Sequence, residues 1–178
     1  MSTYTLIQSQ TLASSAASVT FSAIPSTFTD LVFKLSATMS PTSQDSDYAS
    51  LRLSASSLST YSGIQLYTAG SSSSVTAVSN IIGPNNDSIP ISLACSQTAG
   101  YLGYGEIYIP NYTVTATKQI LVNSGWEGNV TNWNGNSPMR QNMANLFSTT
   151  TPITVVRIAA SGNFVTGSSF YLYGISNA

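Results

Sequence analysis

The chain has 178 residues with five Lys or Arg, six Asp or Glu and no His, a net charge of -1 and a charged fraction of only 6%. A soluble domain ordinarily carries about 25% charged residues; hydroxyls fill the gap here, with Ser and Thr making up about 30% of the chain. The scattered cations exclude the basic cluster that nucleic acid or an anionic membrane needs, and no apolar run approaches the roughly 18 residues of a spanning helix.

Read along the chain, period-two alternation with β-branched and aromatic residues predicts strands throughout. Residues Met1–Gln8 lack a basic stretch followed by an apolar one, so no secretory signal is expected and synthesis is placed in the cytoplasm. Tyr4–Gln8, Ser18–Ile24 and Asp30–Met39 are the first predicted strands. Thr11–Ser18, with no large side chain after Leu12, reads either as an extended arm within residues 1–18 or as an edge segment. In Asp30–Met39, Leu31, Phe33, Leu35 and Ala37 fall on one face, and Val32, Lys34, Ser36 and Thr38 on the other. Tyr48–Ser54, Gly63–Ala69, Val75–Ile82 and Ile89–Cys95 follow. The lone Cys95 makes no internal disulfide and reads as a small buried hydrophobe.

Tyr104–Ile109 is expected to stop at Pro110, which cannot donate to a ladder. The Gly/Tyr alternation from Gly100 to Gly105 reads as a twisted or bulged strand. Lys118–Gly125, Met139–Phe147, Ile153–Ala160 and Ser168–Ile175 complete the set. Any helix is confined to a turn or two near Ser14–Ser18 or Gln141–Leu146. Turn chemistry marks Pro25, Pro41, Gly83–Asn86, Pro110-Asn111, Asn134-Gly135 and Ser161-Gly162-Asn163. About a dozen short strands with regular turns predict one all-β domain over residues 1–178, an antiparallel β-sandwich of jelly-roll type. Leu31, Phe33, Leu35, Ile107, Ile109, Val155, Ile158, Phe170 and Leu172 are its expected core.

The sequence offers little for catalysis. Serines abound, but there is no nucleophile elbow and no His to activate one. Glu106 and Glu127 are a carboxylate pair only if their strands lie together. Asp45-Ser46-Asp47 lacks the ligand spacing of a calcium loop, and no phosphate cradle or other cofactor pattern occurs. A non-enzyme without metal or cofactor is expected. The distinctive segment is Asn123–Pro138, which holds both tryptophans and five asparagines within sixteen residues. Trp126 and Trp133, with Asn132 and Asn134, are candidates either for a packed core or subunit interface, or for stacking on a sugar while the amides hold its hydroxyls.

Three sets of residues, in order, carry a resemblance. Near the start stand Tyr4–Leu12, Ala17–Pro25 and Phe28–Leu31; the middle has Ile107–Tyr112; the end has Gly162-Asn163-Phe164, Gly167-Ser168 and Leu172-Tyr173-Gly174-Ile175. Together they resemble a family of small β-rich virion proteins of tailed bacteriophages, labelled fibre, decoration or structural proteins. Members often carry Lys after the terminal Tyr-Gly-Ile, where this chain has Ser176, and the Trp/Asn segment is not a family feature. The resemblance implies a virion location and no catalytic residues. It favours a capsid decoration or cement protein bound to the major capsid protein or other virion subunits. A homotrimer is the favoured assembly. The alternative is a fibre module reading host-surface glycans; a lectin-like domain or minor tail component comes third.

Overall fold

The computed structural model describes residues 3–40, 49–54, 61–69, 75–79, 88–91, 94–95, 102–126 and 139–176. These form thirteen strands: β1 (Thr3–Thr11), β2 (Ala16–Phe21), β3 (Asp30–Ser40), β4 (Ala49–Leu53), β5 (Tyr61–Ala69), β6 (Thr76–Ser79) and β7 (Ile89–Ile91). Then come β8 (Ala94–Cys95), β9 (Gly103–Ile109), β10 (Lys118–Trp126), β11 (Met139–Phe147), β12 (Val156–Phe164) and β13 (Ser169–Ser176). The fold is all-β, antiparallel and sandwich-like.

One curled layer runs β6-β5-β11-β10-β9-β3-β13-β1. The other runs β2-β12-β4-β7. Every ladder is antiparallel except the short β3–β8 pair. The two layers join at a corner, where Met39 and Ser40 at the end of β3 pair with Phe164 and Asn163 at the end of β12. β1 and β13 lie together at one edge of the first layer, with Thr3 opposite Ser176.

Alternation explains the core. Leu31, Phe33, Leu35 and Ala37 of β3 point inward with Ile107 and Ile109 of β9 and Phe170 and Leu172 of β13, all buried. Across the gap they meet Val19 and Phe21 of β2, Leu51 and Leu53 of β4, and Val156 and Ile158 of β12. Aromatic rings bridge the layers: Phe21 packs edge-on to Phe33 at 5.8 Å, and Phe164 edge-on to Phe170 at 5.0 Å. Such contacts add about 0.5–1.5 kcal/mol each beyond the area buried.

Several expectations need correction. Val155 is only half-buried and its neighbour Val156 takes the core position. Residues 153–155 approach the sheet before the ladder starts, which shifts the inward phase by one. Ser161-Gly162-Asn163 is not a turn but an irregular stretch inside β12, across which pairing passes from β4 to β3 on one side and resumes with β2 at Phe164 opposite Ala16 on the other. The reversal into β13 falls later, at Gly167, which has φ 89°. Val32 and Thr38, on the face of β3 opposite Leu31 and Phe33, are buried as well. Thr38 lies under the β12–β13 turn, its carbonyl accepting from the Val165 amide at 2.9 Å. No helix forms among the described residues. Gln141, Met143, Asn145 and Phe147 alternate with exposed neighbours and belong to a strand. β9 pairs without a register shift, and its Gly105 marks close packing: a Cβ there would come 3.2 Å from Leu35 Cγ.

Candidate functional site

The outward face of the first layer is concave. Its side chains enclose an open trough of about 610 Å³ that reaches from Tyr4 on β1 to Leu66 on β5. The ladders align outward residues of seven strands in one apolar row. Ile64 stands opposite Ala144, Ala144 opposite Leu121, and Leu121 opposite Tyr108. Tyr108 then stands opposite Val32, Val32 opposite Tyr173, and Tyr173 opposite Leu6. Ile64, Leu66, Leu121, Tyr4 and Leu6 are exposed, whereas Val32 is only 2% exposed on the trough floor. A contiguous exposed apolar strip of this kind marks a contact surface.

Two residues along each strand, a polar row runs beside it. Asn142, Asn123, Glu106 and Lys34 are successive cross-strand neighbours on β11, β10, β9 and β3. Lys34 Nζ lies 3.0 Å from Glu106 Oε2. Hydrogen bonding to Glu106 raises the lysine pKa above its ordinary value, against a smaller opposing effect of burial. The row thus neutralises its own charge.

Tyr4 and Tyr108 line the trough, and further tyrosines lie beside them. Tyr4 packs edge-on to Tyr173, and Tyr171 stacks beside Tyr173. Tyr104 lies beneath the Arg140 guanidinium at 5.9 Å, with its hydroxyl 3.4 Å from Asn123 Oδ1. Tyr108 is anchored from below: its hydroxyl donates to Asp30 Oδ2 at 2.8 Å, and the Asn111 amide donates to Asp30 Oδ1 at 2.9 Å. Burial, then the bond to Asp30, pushes the Tyr108 pKa up to about 12. Asn111 adopts φ 49° in the turn after Pro110, a conformation Asn tolerates well.

Matched against known family models, curated proteins and solved structures, the chain has no counterpart.

A second feature is the free side of β1, which pairs only with β13 among the described residues. The strand Thr3–Thr11 is nine residues long and contains neither a charge nor a proline. A single register shift between Leu6 and Gln8 interrupts it.

The sequence candidates fare unevenly. Trp126 ends β10 opposite Met139, at the end of the strand that carries Leu121 and Asn123. Trp133, Asn132 and Asn134 lie outside the described residues, as do Asp45, Asp47 and Glu127. Glu106 is held by Lys34. Sequence reasoning missed the trough because each strand contributes only one or two outward residues, and the row exists only once the strand order is known. The available signal was an apolar residue on the nominally solvent phase of strand after strand: Leu6, Val32, Ile64, Leu121 and Tyr173.

Proposed function

We propose that this chain is a structural, non-catalytic protein of a tailed-phage virion, of the capsid decoration or cement type. It is made in the host cytoplasm and binds the assembled shell. The observation that carries the reading is the β1 edge, long, uncharged and unpaired on one side among the described residues. Soluble proteins usually blunt such edges with Lys, Pro or bulges; β1 carries one register shift but neither Lys nor Pro, and such an edge suits strand addition by a shell subunit or a sister copy. The hydroxyl-rich, charge-poor composition and the ordered resemblance to small virion proteins support the same assignment. Binding only the assembled shell stabilises that state by mass action.

Electron microscopy of labelled particles tests this directly. Many copies over the head are expected; a few at the tail would favour the fibre reading, and absence from particles would overturn both. The free protein is expected to form a homotrimer. Sedimentation at micromolar concentration giving a clean 18.7 kDa species would remove that part of the proposal.

A further inference from the structure

We propose that the trough on the outer face of the first layer binds a neutral oligosaccharide through the flat faces of its pyranose rings. A pyranose has an apolar face of C–H groups and a rim of hydroxyls. The trough matches it in kind, with an apolar row beside a parallel row of amides and a carboxylate. Neighbouring strands repeat every 4.7–4.9 Å or so, which is close to the length of one sugar unit. Asn142, Asn123 and Glu106 therefore offer hydrogen bonds at the period of a saccharide chain lying across the strands.

Exposed aromatic rings supply the platform. Tyr4 in the trough lining is 57% exposed, and Tyr104, whose hydroxyl reaches the lining residue Asn123, is 40% exposed beside it; a tyrosine ring offers a rigid amphipathic surface at low entropic cost. Tyr108 is held at the floor by Asp30, so part of the site is organised before a ligand arrives. At about 610 Å³ the space lies within the range of small-ligand sites, roughly 300–1,000 Å³.

Charge selects a neutral ligand. The trough's carboxylate is already paired with Lys34, so an anionic chain gains no net attraction and a cationic one must displace the lysine. A protein occupant fits less well, because it would bury this ion pair and two amides in the centre of an interface, where charged residues are depleted. The inference stands apart from the virion reading, since any location of the protein leaves this chemistry in place.

The test titrates the full chain with cello-, malto-, manno- and chito-hexaose, and with an acidic oligogalacturonate, followed by saturation-transfer NMR and calorimetry. At least one neutral chain is expected to bind with Kd between about 10 μM and 1 mM. Tyr4→Ala and Asn123→Ala should each weaken it about tenfold or more without shifting the melting temperature, and Thr20→Ala on the opposite layer should change nothing. No binding by any neutral chain, preference for the acidic chain, or binding indifferent to both trough variants would each overturn the proposal. If particles retain the protein while Tyr4→Ala releases it and no sugar binds, the occupant is a virion subunit. That outcome overturns this inference and leaves the cement reading standing; absence from particles with sugar bound does the reverse.

Discussion

Asp30 is a buried carboxylate whose two oxygens each have a donor, the Tyr108 hydroxyl and the Asn111 amide. Removing one donor leaves a buried charge partly unmet, so Tyr108→Phe should cost about 1.5–3 kcal/mol at neutral pH. The Tyr108 pKa is up at about 12 against the ordinary 10.0, so from pH 10 to 12 the unfolded tyrosine loses its proton while the folded one keeps it. The unfolded state then binds fewer protons, and stability falls with rising pH. Urea midpoints across that window should therefore show the gap between parent and Tyr108→Phe closing as pH rises; a constant gap would contradict the assignment. Lys118 poses the opposite problem, an ammonium buried without a carboxylate partner among the described residues, its pKa lowered by burial. Its three protons are met by the carbonyls of Val114, Ala116 and Thr149 at 2.6, 2.8 and 3.1 Å. Convergent carbonyls suit a point charge with three rotatable donors better than a planar fork. Lys118→Arg should accordingly fail to rescue the loss of about 1–3 kcal/mol expected for Lys118→Met, as measured by urea unfolding.

At the scale of elements, the residues that carry the virion-protein resemblance fall together in space. Tyr4–Leu12 is β1 and its exit, Leu172–Ile175 lies on β13, and these pair. β13 pairs with β3, and β3 with β9, where Ile107–Tyr112 ends the strand and turns. Tyr112 donates its hydroxyl to the carbonyl of Pro25, and the amide of Thr29 donates to the carbonyl of Ile175 at 2.8 Å. The resembling residues are thus framework, whereas the trough draws two-thirds of its lining from β5, β10 and β11, outside those blocks. Gly174 shows why the framework is specific: a Cβ there would stand 2.2 Å from Phe28 Cγ. Gly174→Ala should cost about 1–3 kcal/mol through overpacking, and Phe170→Ala about 3–5 kcal/mol through a cavity. A measured loss under about 1 kcal/mol for Phe170→Ala would contradict its central burial. Strand positions were legible because alternation is a local signal, as in β3 and β9. What was not legible depended on distant contacts: the corner at Asn163, the one-residue phase of Val156, and the trough, whose apolar row needs seven strands in the right order.

For the whole molecule, most ladders join distant parts of the chain; β1 pairs with β13 and β5 with β11. Loop closure is paid before such contacts form, so folding is expected in the range of milliseconds to seconds. β1 and β13 lie side by side but contribute unequally. β1 is an edge strand whose side chains are mostly exposed, with Ile7 reaching the core only in part. β13 is flanked on both sides, by β1 and β3, and buries Phe170 and Leu172 completely. Losing those two side chains alone removes about 5–10 kcal/mol, comparable with the roughly 5–15 kcal/mol that holds an entire domain folded. Deleting residues 1–11 should therefore leave a cooperative urea transition at a lower midpoint, with loss of binding to particles because β13 with its different side chains replaces β1 at the edge. Deleting residues 169–178 should abolish the cooperative transition. Two truncations of similar length with equal effects would mean that burial in β13 does not govern stability. Particle binding that survives loss of β1 would move the attachment surface away from that edge.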